Sequence, residues 1–223
     1  IMSAIFAELD IERMQIADMA LREGVLYDLI GRIHHQDLRE STVRQFKRRY
    51  HVDAAQAKRV EALAVRLYSQ LAQDIPIDLE NTVSVLMWAA RLHEMGISVA
   101  HSSYHKHSAY ILQHADMPGF SKAEQMALSL IVLAHRGGMG KMQGKLSGRH
   151  EWARILSLRL AVLFYRSRRD LALPTVSLQW RNNRFELTVQ GVWLAANPLT
   201  AAALQDECDE WQRLGIRLTL LTA

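Results

Sequence analysis

Leu92-His93-Glu94-Met95-Gly96-Ile97-Ser98 is the stretch on which the fold turns. Ahead of it Val83, Leu86, Met87, Ala90 and Leu92 return at three- and four-residue spacing, which predicts an apolar helix starting near Asn81. That helix ends by delivering His93 and Glu94, and Gly96 stops it. Titratable groups at the end of a buried helix serve either chemistry or a packed polar network. The neighbourhood sharpens the question, because His101, His105, His107, His114 and His135 follow within about forty residues of His93.

Working upstream, Asp53 is a helix N-cap, and Ala57, Val60, Ala64, Leu67 and Leu71 behind it make one amphipathic face that should run to Pro76. Downstream, helices are expected over Ser108 to His114, over Ser121 to His135 with Ser121 and Glu124 as a capping box, and over Glu151 to Ser167. Between the last two, Gly137-Gly138-Met139-Gly140 and the glycines at 144 and 148 predict a flexible basic loop. After Pro174 the period changes to two. Val176, Leu178 and Trp180 alternate with polar residues, Arg181-Asn182-Asn183 turns, and Phe185, Leu187 and Val189 alternate again, as in a hairpin. Pro198, following Asn197, opens a helix that closes near Gly215, and Ile216, Leu218 and Leu220 supply a third strand. The fold class is therefore mainly α, with a helical domain followed by a small β-β-α-β tail.

The histidine spacing resembles that of HD domains. In that superfamily an apolar helix ends in His-Asp, and histidines on neighbouring helices complete a metal site for phosphate-ester hydrolysis. Here the acid is Glu94, and Gln56 stands near the place of the first histidine. One reading has His93, Glu94, His107 and His135 holding a metal ion. The other, which Gln56 favours, makes these groups a buried network that fixes helix packing.

Composition limits the functions available. The 223 residues are 49% hydrophobic, enough for one substantial core and a smaller one. The single Cys208 allows no internal disulfide, and every apolar run is broken by Arg, Glu, His or Gln, so a reduced cytoplasmic protein is expected, at most peripheral to a membrane. The chain opens on Ile and already reads as mid-helix, which suggests a piece of something longer. Net charge is only +4, but the cations cluster. Arg44, Lys47, Arg48 and Arg49 form one group; Arg136, Lys141, Lys145, Arg149, Arg154 and Arg159 form another with few acids nearby in sequence. Such clusters suit a flexible polyanion, which needs cations along a track. The tryptophans sit among apolar neighbours and read as core, so nucleic acid is not an expected partner.

Two further stretches carry a family resemblance. Ala20-Leu21-Arg22-Glu23-Gly24-Val25-Leu26-Tyr27-Asp28, and the quoted segment continued by His105-Lys106-His107-Ser108-Ala109-Tyr110-Ile111-Leu112, resemble the exopolyphosphatase / guanosine-pentaphosphate phosphohydrolase family. Asp116-Met117-Pro118-Gly119-Phe120 and Asn197-Pro198-Leu199-Thr200 add to it in order. The resemblance implies an HD-like helical domain at 25–170, a small α/β domain at 171–223, and at 1–24 the remnant and junction of upstream actin-like domains. In the family those upstream domains carry the catalytic carboxylate and Mg²⁺, so no catalytic residue is assigned here and no cofactor is certain for this chain. What remains is binding of inorganic polyphosphate or guanosine pentaphosphate, support of processivity, and homodimer formation. The candidate contacts are Arg22, Arg44, Lys47, Arg48, Arg49, Arg136, Lys141, Lys145 and Arg149.

Overall fold

The computed structural model describes residues 36–75, 79–146 and 148–223, together with Glu8. Arg22 and the 1–24 junction lie outside the described residues. The helical body comprises α1 (Gln36–Arg49), α2 (Ala54–Leu71), α3 (Leu79–Leu92), α4 (Tyr104–His114), α5 (Lys122–Ala134) and α6 (Arg149–Phe164), with short 3₁₀ turns at Met95–Ser98 and Met139–Met142. The tail adds β1 (Val176–Arg181), β2 (Arg184–Val189), α7 (Gly191–Ala196), α8 (Pro198–Arg213) and β3 (Leu218–Thr222). No helix among the described residues is long and apolar enough to cross a membrane.

Local chemistry explains most of the boundaries. Asp53 caps α2 by accepting from the backbone N–H groups of Ala55 and Gln56. At α5, the Ser121 hydroxyl accepts from Glu124 N–H while Glu124 accepts from Ser121 N–H, closing the expected capping box. Gly148 N–H likewise donates to Glu151 at the head of α6. Four expectations shift. Helix α2 ends at Leu71, ahead of Pro76; α3 begins at Leu79; α4 begins at Tyr104, which brings His105 and His107 onto a helix; and α6 runs Arg149–Phe164. Helix α7 had no counterpart in the sequence reading, because six residues are too few to establish a helical period.

Helix α2 buries Ala57, Val60, Leu63, Ala64, Leu67, Tyr68 and Leu71 and packs against α3, α6 and β1. Helix α6 is buried nearly all round, from Ala153 through Ile155–Ala161 to Phe164, as befits a helix in the middle of a core. Its one charged member in that run, Arg159, is the polar group whose partners organise the site below. The tail sheet has order β1-β2-β3, with β1 antiparallel and β3 parallel to β2. Asn182 and Asn183 make the hairpin turn with φ of 49° and 57°, the left-handed pair that matches strand twist. The outer edge of β1 is closed by side chains of the α2 end: Gln70 donates to Val176 O and accepts from Leu178 N–H, and Asp74 accepts from Trp180 N–H. One apolar core therefore runs without a break from the helices into the sheet.

Candidate functional site

The α3 end folds as a hairpin of backbone around Gly96. Its N–H donates to the Ser108 hydroxyl at 2.7 Å, and that hydroxyl donates to His93 O at 2.9 Å. A Cβ at position 96 would stand 2.1 Å from Tyr104 O and 2.6 Å from Ser108 N, so only glycine lets the α3 exit and α4 approach this closely. That contact brings the histidines together. The His93 and His135 rings lie 5.1 Å apart, edge to face, with His105 6.2 Å and Tyr104 5.5 Å from His135.

These rings stay neutral. Burial, only partly offset by Glu94, lowers the pKa of His93; burial and then the neighbouring His93 hold His135 well below the usual imidazole range. Each ring nitrogen Nδ1 meets a carbonyl one turn back, Ala90 O for His93 and Val132 O for His135. His135 Nε2 reaches the Tyr104 hydroxyl at 3.4 Å and His93 Nε2 lies 3.9 Å from Glu94 Oε1, while His93 Nε2, Glu94 Oε2 and His105 Nδ1 are buried with no hydrogen-bond partner among the described residues.

Glu94 is held by a cation from its own chain. Arg168, just beyond α6 and at a left-handed φ of 56°, donates Nη1 to Glu94 Oε1 at 2.6 Å and Nη2 to Asp53 Oδ2 at 3.0 Å. Gln56 turns away from the cluster and donates to Tyr165 O. His107 sits half-buried beside Gly96, and it is His105 that joins His93 and His135. Among the described residues no three His, Cys, Asp or Glu side chains converge so as to hold a metal ion. The cation that faces Glu94 here is the Arg168 guanidinium.

The second basic cluster behaves differently. The loop after α5 is not free: Met139 and Met142 are buried in the core, and Met139 N–H donates to Glu210 on α8. The expected flexible loop is thus anchored at two points, because its methionines are core residues that the surrounding glycines obscured. Arg159 and Arg154 are withdrawn from the cluster. Arg159 pairs with both carboxylate oxygens of Glu207 and donates to Ala134 O and Gly137 O, whereas Arg154 is largely buried. The cluster that looked poor in acids therefore receives Glu207 and Glu210 from a helix some fifty residues later.

What remains faces outward. A cleft of about 450 Å³ is lined by His135, Arg136, Gly137, Arg159, Arg166, Glu207 and the apolar Val162, Leu163 and Ala203. Arg136 lies over the Tyr104 ring at 5.1 Å. Lys141 reaches back to Arg136 O, and the place a Gly137 Cβ would occupy is 3.5 Å from Lys141 Nζ and 3.6 Å from His105 Nε2. Burial first, then Arg159 and Lys106, press the Lys141 ammonium down to about 8; burial and then Lys141 and Lys106 push His105 to about 4. Lys145 is exposed on the same loop. Arg149 is turned onto the Trp180 ring at 4.6 Å, toward the tail. The first cluster sits on α1, where Arg44, Arg48 and Arg49 line one shallow groove and Arg44, Lys47 and Arg48 the next.

Sequence reasoning singled out Arg136, Lys141, His93, Glu94 and His135 but missed Arg168, Glu207, Glu210 and Tyr104. Arg168 belongs to the run Arg166-Ser167-Arg168-Arg169, which reads as a solvated helix end. The only available hint for Glu207 was its spacing of four from Trp211, whose Nε1 donates to it at 2.7 Å.

Fold and site together define a mainly helical HD-like domain carrying a small α/β tail. The chain belongs to the Ppx/GppA phosphatase family, whose domain III matches residues 38–208. It is 37% identical over 221 residues to the guanosine-5'-triphosphate,3'-diphosphate pyrophosphatase of Pseudoalteromonas translucida, covering 98% of this chain and 44% of that protein. Against the protein of the same name from Vibrio cholerae the identity is 36% over 222 residues, 99% of this chain and 45% of the relative. The chain thus spans somewhat under half the length of the curated relatives it matches.

Proposed function

We propose that this chain is an oligophosphate-binding part of a Ppx/GppA phosphohydrolase, and that the whole protein acts on guanosine pentaphosphate. The observation that carries the binding role is the Gly137 loop: Arg136 lines the cleft, Lys141 and Lys145 stand on the same loop, and Arg159, paired with Glu207, holds the loop by donating to Gly137 O. Phosphate chains are bound by many cations at once, each displacing a counterion. A preformed row of them reduces the ordering cost of binding. The names of relatives aligned along nearly the full chain favour guanosine pentaphosphate as substrate. Inorganic polyphosphate presents the same phosphoanhydride chemistry and remains the competing ligand. On this reading the hydrolytic carboxylate and its Mg²⁺ belong to the part of the protein that this chain does not span, and the whole assembles as a cytoplasmic homodimer.

The test is binding of guanosine pentaphosphate and of inorganic polyphosphate across a salt series, with the wild-type chain and with Arg136→Gln/Lys141→Gln/Lys145→Gln. Binding should weaken steeply with salt, and the triple substitution should flatten the slope of log affinity against log salt by roughly 2, at ~0.7 per neutralised phosphate on a flexible strand. Salt-independent binding, or a slope that the substitutions leave unchanged, would refute the role of this loop. The ratio of the two affinities at matched salt decides between the ligands.

A further inference from the structure

Cations in the cleft beside Gly137 share its lining with apolar surface and with an acid. Arg136 enters from the end of α5 and Arg166 from just beyond α6. Val162 and Leu163 on α6 and Ala203 on α8 add half-buried apolar side chains, and Glu207 on α8 adds a carboxylate. On α1, by contrast, the groove formed by Ser41, Arg44, Gln45, Arg48 and Arg49 has no apolar residue in its lining. A bare phosphate chain gains nothing from apolar side chains and is repelled by a carboxylate. At about 450 Å³ the cleft falls within the ~300–1,000 Å³ of small-molecule sites, whose apolar walls carry a few placed polar groups.

The contacts already made leave particular groups open to a ligand. Both arginines are exposed, and no carboxylate among the described residues pairs with either. The Arg136 guanidinium lies over the Tyr104 ring on one side, and its exposure leaves the other side open; guanidinium planes are surfaces on which bases stack. Glu207 has spent three acceptor positions: Oε1 takes Arg159 Nε and Trp211 Nε1, and Oε2 takes Arg159 Nη2. An ionised carboxylate has about four such positions, so Oε2 keeps one for an N–H donor.

A planar base with N–H groups on its edge, joined to phosphates, uses all of these at once. We propose that this cleft holds the nucleoside of a guanosine phosphate, with the base against Leu163, Ala203 and Arg136, its edge donating to Glu207, and its phosphates meeting Arg166 and the Gly137 loop. Guanine presents N1–H and an amino N–H side by side toward a carboxylate. Adenine turns the lone pair of its N1 to the same oxygen, and two acceptors repel. The inference rests on the oligophosphate-binding reading above and deepens it: the loop cations hold any phosphate chain, and the cleft selects the chain that carries guanosine.

Calorimetric titration of the full chain with GTP, ATP and inorganic tripolyphosphate, at one pH and low salt, separates the parts. GTP should bind about tenfold tighter than tripolyphosphate, the gain coming from the base, and about tenfold tighter than ATP, the gain coming from the base edge. Ala203→Phe, which fills the cleft from α8, should bring GTP down to the level of tripolyphosphate and leave tripolyphosphate binding unchanged, which also shows that the variant is folded. Arg166→Gln, at an exposed position, is the second variant and should weaken GTP about fivefold. Tripolyphosphate or ATP bound as tightly as GTP, or a GTP affinity that both variants leave alone, would overturn the nucleoside site while tripolyphosphate binding keeps the oligophosphate reading intact. Failure of GTP and tripolyphosphate alike to bind would overturn both.

Discussion

Arg168 Nη1 donates to Glu94 Oε1 at 2.6 Å and so places a guanidinium against the carboxylate of the Leu92–Ser98 segment. Partial burial works against the charge on Arg168, but the hydrogen bonds to Glu94 and Asp53 outweigh it and raise its pKa. Glu94 is the deeper partner, at 7% side-chain exposure against 42% for Arg168. The same guanidinium also touches the N-cap of α2, so one side chain ties the ends of α2, α3 and α6 together.

Removing that cation should therefore be costly. Arg168→Met leaves a buried carboxylate unpaired, and we expect a loss of about 2–3 kcal/mol, below the ~3–5 kcal/mol of a fully buried pair because Arg168 is half-exposed. Urea unfolding of Arg168→Met, Glu94→Gln and the double variant measures it. The double variant should recover part of the loss, and strict additivity would show that the pair does not interact as described.

The Arg159–Glu207 pair is buried on both sides, at 6% and 8% exposure. Glu207→Gln should cost about 3 kcal/mol, since it leaves the buried Arg159 guanidinium without its counter-charge and leaves one amide oxygen to serve both Arg159 and Trp211 N–H. Hydrogen exchange locates the effect. Protection should fall first in the Met139–Met142 turn and in α8, and uniform loss across the helical body would contradict the anchoring role.

Three imidazoles link stability to acid. His93, His135 and His105 have lowered pKa values in the folded chain, chiefly through burial, and the ordinary value once unfolded. The unfolded chain then binds more protons as pH drops below about 6.5, so stability is complete above that value and declines from there toward pH 4. Calorimetry at pH 7.5, 6, 5 and 4.5 should show a falling Tm with protons taken up on unfolding. A Tm that holds level across this range would mean that the imidazoles are not buried as found.

Gly96 leaves no room for a side chain. The Cβ of Gly96→Ala would fall inside contact distance of the backbone at Tyr104 and Ser108, and neither can retreat without moving α4. We expect a loss of at least 3 kcal/mol, at the severe end of overpacking. Gly140→Ala, where the added Cβ would meet nothing within 4 Å, is the control and should change stability little. Comparable losses in both would contradict the close approach as the cause, since the reduced entropy of the unfolded chain favours folding in either variant.

The sequence by itself determined the order and kind of most elements, because these follow from local chemistry: the Asp53 cap, the Ser121–Glu124 box, the period-two strands with Asn182-Asn183 between them, and Pro198 opening α8. It also singled out His93, Glu94, His135 and the basic residues of the Gly137 loop, since unusual residue types in a cluster are visible without coordinates. Only the tertiary structure decided what those groups do for one another. Arg168 lies 74 positions from Glu94, and Glu207 lies 48 from Arg159. A pairing across such distances leaves no period, cap or spacing in the chain. The same holds for the choice of His105 over His107 and for the anchoring of the Gly137 loop. Which face of α4 turns inward, and whether Met139 and Met142 belong to loop or core, depend on how α4, α5 and α8 pack, and packing is set by the whole apolar surface being buried at once.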